Sequence, residues 1–375
     1  MLNHTKIFKE LTNQWMAVQK SYKNERVLAC HLWDLVKGHE ALNLDIQQKY
    51  QNYSALLPTW NGFLRQVYPI IPHEMPYRVL AVDGSQIYPD HHRGISCFVI
   101  NIGSVDFSYS VTNNSSVQFD SYPLVFFKGD LAEEYAFDDN LVNGKRTELE
   151  WRTGLELMIK NNQQHNEHYP QLFLCDGSLI FWHLDGYEPA QKQRFLTSYI
   201  ALLQQFYEQQ ILLAGYISMP HSKELVNILR FAVDHAYVPA YQDLTLEYVV
   251  DADIIAQTLQ PAMRTLVFEN HAKIVASYPV HLRPHFFYIQ GGDEVVRVEI
   301  PAWIAIDNQK VETVSRIIFD QILKGQGYPV CLAEAHEQAV IKGSDREFFY
   351  QLMDKMAGNT IFSSLKSMKK RKMMY

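Results

Sequence analysis

The spacing of apolar residues predicts a helical start to the chain, followed by strands. From about position 7 to position 41 apolar side chains recur every three or four residues, the pattern of an amphipathic helix. Apolar runs then predict strands at 79–82, 95–102, 105–111 and 117–127. The tetrapeptide Asn101-Ile102-Gly103-Ser104 predicts a turn between the second and third of these strands. We therefore expect a strand meander after a helical preface.

Helices and strands alternate in the second half of the chain. Predicted helices lie at about 131–164 or 147–164, 190–209, 223–233 and 309–324. Predicted strands lie at 171–176, 211–217, 265–268, 286–289 and 295–300. An apolar run at 328–336 leads into further helices that end near position 356. This alternation predicts an α/β fold, a mixed sheet flanked by helices, with an N-terminal helical segment and inserted strands.

The composition is that of a folded globular protein. Apolar residues make up 47% and charged residues 20% of the 375 positions. With 34 basic and 41 acidic residues the formal net charge is −7, which argues against a protein that coats nucleic acid with its whole surface. A local basic channel is compatible with this balance. The basic run at 366–372 is predicted to be a solvated terminal tail.

Cysteine usage and hydropathy predict a cytoplasmic protein. The four cysteines lie far apart, without the paired spacing of a zinc site or of a disulfide framework. The first residues lack the order of a secretory signal peptide. No window approaches the ~18 to 20 uninterrupted apolar residues of a membrane span, so we expect no membrane association.

Two copies of the tripeptide Asp-Gly-Ser give the strongest chemical signal. Asp83-Gly84-Ser85 follows the apolar run 78–82, and Asp176-Gly177-Ser178 follows the apolar run 171–175. Each glycine predicts a turn at a strand end, and open α/β sheets bind ligands just beyond the strand ends. Two carboxylates there suit Mg²⁺ or Mn²⁺, which prefer hard oxygen ligands. One such motif alone would favour a plain turn, but its recurrence favours a divalent-metal site.

The predicted helix at 147–164 offers a third carboxylate. Glu148 shares a helical face with Trp151, whereas Glu150 and Glu156 point to other sides. Helical phase therefore favours Glu148. Each glutamate taken alone is more often a surface charge than a metal ligand.

His336 stands at the entrance to a predicted helix, after an apolar run. A lone histidine is usually satisfied or solvent-facing, but at a strand end it becomes a candidate metal ligand or proton donor, because imidazole titrates near neutral pH. Asp90-His91-His92-Arg93 is predicted to be a polar turn. The chain has no phosphate-binding loop, dinucleotide fingerprint, nucleophile elbow or His-Glu-x-x-His helix, so we do not expect it to hydrolyse ATP.

Four segments, in this order, resemble the NurA nuclease family. They are 79–86 around Asp83, 172–180 around Asp176, 214–222, and 333–339 around His336. The resemblance implies a ribonuclease H-like core, and the order of antiparallel strands, helix and further strands agrees with that core. We expect a helical segment at 1–75, the nuclease domain at 76–356 and a basic tail at 357–375.

The resemblance also implies which residues form the site. Asp83, Asp176 and His336 match the family's motifs directly. The family's helix glutamate follows an Arg-Thr-x-Leu-Glu-like stretch, which matches residues 146–150 and therefore Glu150, although helical phase favours Glu148. The four residues Asp83, Glu150, Asp176 and His336 are predicted to be catalytic and to hold the metal, with His336 completing the coordination or assisting proton transfer.

By resemblance the chain is expected to be a manganese-dependent deoxyribonuclease, with Mg²⁺ as the alternative ion. The family implies 5′-to-3′ exonuclease and single-strand endonuclease activity in DNA end resection, a homodimer, and a HerA-like hexameric ATPase as partner. Two alternatives stay open: a catalytically silent scaffold that docks on an ATPase ring, and a metal-dependent nuclease acting on RNA. The candidate phosphate contacts are Arg78, Lys223, Arg264 and Arg283. Arginines near strands, however, more often form surface ion pairs.

Overall fold

The computed structural model describes residues 2–72, 76–89, 97–110, 115–130, 138–164, 169–241 and 245–357. The predicted polar turn at 90–93 and the basic run at 366–372 lie outside the described residues. None of the helices in these ranges combines the length and the apolar character needed to cross a membrane.

Helices account for much of the described chain. They are α1 (His4–Val36), α2 (Glu40–Lys49), α3 (Asp139–Gln164), α4 (Pro189–Glu208), α5 (Glu224–Asp234), α6 (Asp251–Thr258), α7 (Ala302–Ala305), α8 (Asn308–Lys324), α9 (Val330–Ala339) and α10 (Gly343–Ala357). The strands are β1 (Thr59–Trp60), β2 (Val67–Pro69), β3 (Tyr77–Ile87), β4 (Cys97–Tyr109), β5 (Ser116–Phe127), β6 (Gln171–Asp176), β7 (Leu212–Ile217), β8 (Met263–Thr265), β9 (Phe268–Glu269), β10 (Pro284–Gln290) and β11 (Val295–Pro301).

The chain forms two compact units that do not follow chain order. The first consists of Met1–Pro72, Gly177–Ile180 and Ala214–Phe319. In it β1, β9, β10, β11 and β7 pair in that order, all antiparallel, and β8 pairs with both β10 and β2. Its core joins the second half of α1 to α5, α6 and β10 through buried side chains such as Trp33, Leu229 and Phe286. Burial of these apolar surfaces stabilises the unit.

The second unit consists of His73–Asp176, Phe181–Leu213 and Asp320–Tyr375. Here β5, β4 and β3 form an antiparallel meander, and β6 pairs with β3 in parallel after the crossover through α3. Three antiparallel strands, then a helix, then a strand parallel to the first make the topology of a ribonuclease H-like core. The predicted mixed α/β fold with that core is therefore confirmed.

The predicted turn at Asn101-Ile102-Gly103-Ser104 is wrong. The two strands predicted at 95–102 and 105–111 are the single strand β4, which pairs with β3 without interruption at Gly103. A methyl group on Gly103 would lie 2.3 Å from the amide nitrogen of Ala339 and 2.7 Å from the carbonyl oxygen of Ala335. The glycine is thus needed because the backbone of α9 packs directly on this strand, and not because the chain turns.

Candidate active site

Pairing between parallel strands brings the two predicted aspartates together. The register of β3 and β6 runs from Arg78 opposite Gln171 to Ala81 opposite Leu174. Continued two residues further, the same register places Asp83 opposite Asp176. Asp83 and Asp176 each lie two residues beyond the last pair, Ala81 and Leu174. Side chains alternate between the two faces of a sheet, so both aspartates project from the same face as that pair. The second unit alone therefore holds both carboxylates.

The strand ends differ from the prediction. Asp176 is the last residue of β6, and Gly177 after it has a φ of +114°, a value that favours glycine, so this motif does end in a turn. Asp83, by contrast, lies inside β3, which continues to Ile87 in register with β4. Gly84 is therefore not a turn residue.

Gly84 instead makes room for the third carboxylate. A methyl group on Gly84 would lie 2.6 Å from Oε1 of Glu150 and 2.8 Å from Cγ of Arg146. Helix α3 can therefore lay both side chains against the strand only because residue 84 has no side chain. The Glu150 carboxylate is 3.3 Å from Nε of Arg146, one helical turn earlier.

Of the three glutamates considered, the structure brings Glu150 to the two aspartates. Glu148 faces α4 instead and accepts a hydrogen bond from the hydroxyl of Ser198 on that helix. Within α3 it pairs with Lys145 and Arg152, both at 2.8 Å. Glu156 is exposed. Helical phase favoured Glu148 because the apolar stripe identifies one packed face, whereas α3 packs against both β3 and α4.

The three carboxylates influence one another electrostatically. Burial, together with the charges of Asp83 and Asp176, raises the pKa of Glu150 to about 8, although the Arg146 guanidinium opposes the rise. Partial loss of hydration and the neighbouring Asp83 also raise the pKa of Asp176. A site that makes its carboxylates hard to ionise favours an incoming cation, because the cation removes the repulsion between them.

Two further side chains hold the aspartates. Nδ1 of His336 donates to Oδ2 of Asp83 at 2.8 Å, and the imidazole is otherwise 65% exposed. The hydroxyl of Tyr328 donates to the carboxylate of Asp176, and this hydrogen bond opposes the rise in the pKa of Asp176. Burial, together with the Asp176 carboxylate, raises the pKa of Tyr328. His336 lies in the last turn of α9 and not at a strand end or a helix entrance, which corrects its predicted setting.

Sequence reasoning missed Tyr328 and Arg146. Arg146 could have been found from its position four residues before Glu150, a spacing that brings two side chains together on a helix. Tyr328 carried a weaker signal: it stands immediately before Pro329, the N-cap of α9, eight residues before His336.

The serine hydroxyls of the two motifs donate to groups other than the carboxylates of Asp83, Asp176 and Glu150. Ser85 donates to the carbonyl oxygen of Ala339, which fastens the end of α9 to β3. In the first unit, Ser178 donates to Oε2 of Glu299 at 2.7 Å. Both hydroxyls therefore have structural partners.

Several of the candidate phosphate contacts already bind other groups of the protein. Arg78 forms a buried ion pair with Asp106, with Nε 2.6 Å from Oδ1. Nζ of Lys223 donates to the carbonyl oxygen of Glu247. Nε of Arg283 is buried without a hydrogen-bond partner in the described residues. Arg78 is therefore a structural residue, as arginines near strands more often are.

The donor set of Asp83, Asp176 and Glu150 suits a divalent metal by its chemistry rather than by its arrangement. In the described ranges no three His, Cys, Asp or Glu side chains are arranged as a ready-made metal-binding group. Glu150 is turned to Arg146 and Asp83 to His336, so each is paired with a nearby cationic or donor group. The chemistry nevertheless fits, because the carboxylate oxygens of Asp83, Asp176 and Glu150 are the hard ligands that Mg²⁺ and Mn²⁺ prefer. Burial and the neighbouring negative charge raise the pKa values of Glu150 and Asp176, and a bound cation would oppose both effects.

Comparison with solved structures gives weak likenesses. The catalytic domain of human endonuclease V is 12% identical, with 84% of this chain and 98% of that one covered and a TM-score of 0.34. The Argonaute of Aquifex aeolicus is 11% identical, covering 72% of this chain and 29% of that one, with a TM-score of 0.29. LC9-RNase H1, a type 1 RNase H, is 10% identical, covering 51% and 88%, with a TM-score of 0.23.

No curated protein matches the chain. The family model described as the NurA domain, however, matches residues 77–341, which is most of the chain. The matched stretch contains Asp83, Glu150, Asp176 and His336. It begins at the first residue of β3 and ends just after α9. The chain belongs to the NurA family.

Proposed function

We propose that this chain is a metal-dependent nuclease that hydrolyses phosphodiester bonds in DNA, acting as a 5′-to-3′ exonuclease and a single-strand endonuclease in end resection. Membership of the NurA family supports a nuclease. The observation that carries the proposal is the parallel register of β3 and β6, which, continued by two residues, sets Asp83 level with Asp176, together with Glu150 packed against Gly84. Metal-dependent phosphodiester hydrolysis uses such a cluster of oxygen ligands to hold its metal ion.

Asp83, Asp176 and Glu150 would hold Mn²⁺ or Mg²⁺, and His336 would complete the site. The ion, when bound, lowers the pKa of water and neutralises charge on the leaving oxygen. Glu150 has to lose its proton for this role, and Arg146 favours that loss. Because Nδ1 of His336 donates to Asp83, its Nε2 faces away from the aspartate and is free to move a proton to or from the substrate.

The test is a cleavage assay on end-labelled single- and double-stranded DNA and RNA with Mn²⁺, Mg²⁺ or EDTA. We expect DNA cleavage that EDTA abolishes and that Asp83→Asn and Asp176→Asn reduce at least ~10³-fold, since each removes a ligand charge with little change in volume. Glu156→Gln, an exposed change on the same helix as Glu150, is the matched control and should cleave normally.

The same assay separates the alternatives. Preferential cleavage of RNA would replace DNA as the substrate. A pure, folded protein that cleaves nothing with either ion would favour the catalytically silent scaffold. Glu150→Gln should be far more damaging than Glu148→Gln, and the opposite order would mean that the third ligand is misassigned.

We also propose a homodimer that works beside a HerA-like hexameric ATPase. The chain itself lacks a nucleotide-binding loop, and its net charge of −7 makes nonspecific attraction a weak means of feeding DNA to the site. A translocating partner would supply that movement. Purification with a HerA-like ATPase from the same organism should give co-elution and ATP-stimulated resection. Unstimulated, fully processive digestion by the isolated protein, without complex formation, would contradict the partnership.

A further inference from the structure

The first unit contains a cavity of about 610 Å³ that includes none of the nuclease residues. Its walls come from α2, β1, β2, β8, β9, β10 and the segment around Ile306. This volume is within the range of ~300–1,000 Å³ usual for small-molecule sites. The residues that determine its chemistry are Tyr50, Trp60, Tyr68, Arg264, Glu269 and His271.

Arg264 is the cationic residue of this cavity's lining. Its side chain is only 7% exposed, and its guanidinium lies 4.2 Å from the centre of the Tyr68 ring. Nη1 donates to the carbonyl oxygen of Thr265. Within the described residues no carboxylate is in direct contact with the guanidinium, although the charge of Glu312 acts on it from further away. A buried guanidinium without a directly paired carboxylate is costly unless an anion completes its hydrogen bonds.

Trp60 also lines the cavity. Its indole Nε1 is buried without a hydrogen-bond partner among the described residues, although the ring itself packs edge-on against Phe268 at 6.0 Å. Buried indole N–H groups usually find an acceptor. The Trp60 ring is therefore an aromatic part of the cavity wall, and the guanidinium of Arg264 is the group that favours a ligand with acceptor oxygens.

The remaining walls combine aromatic rings and imidazoles with aliphatic and amide side chains, and they include the acid Glu269. His271 stacks on Tyr50 with ring centres 4.0 Å apart, and its Nε2 is 2.7 Å from the hydroxyl of Thr59. Glu269 is 3.5 Å from the same hydroxyl. A carboxylate in the cavity disfavours a second anionic group beside it and accepts hydrogen bonds from an amino group. The ligand is thus anionic at one end, flat, and a hydrogen-bond donor at the other.

We propose that this cavity binds a single nucleotide, with its phosphate at Arg264 and an amino-bearing base against the aromatic wall. Bases stack on aromatic rings and on guanidinium planes, and carboxylates accept from the amino groups of bases. The nucleotide can be free or part of a strand. The site goes beyond the proposed nuclease activity, because neither its residues nor its ligand chemistry depends on the carboxylate cluster.

Binding is tested by calorimetry on the full-length protein in EDTA, so that cleavage cannot interfere. The probes are adenosine, guanosine and cytidine monophosphates, inorganic phosphate, and a short single-stranded oligonucleotide. Arg264→Gln should weaken mononucleotide binding about 10- to 100-fold, since charge-assisted hydrogen bonds are lost. Tyr68→Leu, a change at a half-buried position, should weaken it roughly 5-fold or more by removing a stacking surface. Arg65→Gln, an exposed arginine of the same unit, is the matched control and should bind normally.

The outcomes separate the sources of the ligand. Mononucleotide binding that depends on Arg264 and Tyr68 supports a free nucleotide, and dependence seen with the oligonucleotide alone supports a nucleotide within a strand. Should Arg264→Gln fail to fold, Tyr68→Leu and Trp60→Phe decide. Binding that is unchanged in these variants, or inorganic phosphate binding as tightly as a mononucleotide, overturns the proposal. Asp83→Asn should leave this binding intact, so a failed nuclease assay would not bear on it.

Discussion

Replacing Glu150 with glutamine should remove a pH dependence of stability from the metal-free protein. The folded-state pKa of Glu150 is raised from 4.5 to about 8, so the folded protein keeps a proton that the unfolded chain releases. Below pH 4.5 both states are protonated, and above about pH 8 both are ionised. Stability attributable to this carboxyl therefore falls as the pH rises through that window and is flat above it.

The size of the effect follows from the shift. A rise from 4.5 to about 8 corresponds to an upper bound of roughly 5 kcal/mol at 1.36 kcal/mol per pH unit. Burial is its largest cause, so removing the neighbouring charge through Asp83→Asn should recover only part of it. A bound divalent cation should offset the loss, and its stabilising effect should grow between pH 6 and pH 8.5.

Hydrogen exchange of α3 in EDTA measures this effect. A chain with two compact units need not unfold in one step, so a local probe is preferable to a global midpoint. Wild type and Glu150→Gln are compared at each pH between 5.5 and 8.5, with Glu156→Gln as the matched control. Protection of wild type should decline relative to Glu150→Gln as the pH rises. Parallel pH profiles in these two proteins would refute the raised pKa and the carboxylate cluster from which it follows.

Three other changes follow from contacts in the second unit. Gly103→Ala should destabilise the protein by about 1–3 kcal/mol in urea unfolding, because the new methyl group would overlap the backbone of α9. Gly186→Ala is the control and should not destabilise the protein, because no atom lies within 4 Å of its added methyl group. Arg78→Met should lower the free energy of unfolding by about 3–5 kcal/mol, because it leaves the buried Asp106 carboxylate without its ion-pair partner. The double variant Arg78→Met with Asp106→Leu should be more stable than Arg78→Met alone, and equal destabilisation of the two variants would contradict this explanation. Tyr328→Phe should lower kcat several-fold, in line with a lost hydrogen bond of ~1 kcal/mol, and raise the pKa of Asp176; an unchanged acidic limb of the pH–rate profile would refute it.

Much of the fold could be predicted from local patterns, because apolar runs and helical periodicity determine which segments are strands and helices. The error at Gly103 has a physical cause: glycine is required both by turns and by close backbone packing, and a sequence does not distinguish these needs. The helix contact that requires it comes from α9, more than 200 residues later in the chain. Gly84 was misinterpreted for the same reason, since its neighbours Arg146 and Glu150 lie on α3.

The choice among the helix glutamates shows what periodicity can and cannot supply. Phase analysis assumes that a helix has one packed side, and it identified the side that carries Trp151, whose ring packs on Phe173, Phe181 and Phe206. Helix α3 buries a second side against β3, and polar residues such as Arg146 and Glu150 occupy it because the site needs them there. A polar helix face that packs on a strand has the same sequence pattern as a polar face exposed to solvent. Only the motif resemblance therefore pointed to Glu150.

The two Asp-Gly-Ser motifs are therefore alike in sequence but not in local structure. One lies within a strand, where its glycine admits a helix side chain, and the other ends a strand, where its glycine adopts a positive φ. What relates them is the parallel register, in which each paired residue of β3 lies opposite the residue 93 positions later in β6. Continued by two residues, this register sets Asp83 opposite Asp176. Because a slip of one residue would send one carboxylate to the opposite face, the ladder itself fixes the site. The apolar residues Val79, Leu80 and Leu172 that stabilise this pairing thus determine the geometry of the carboxylates as much as the motifs do.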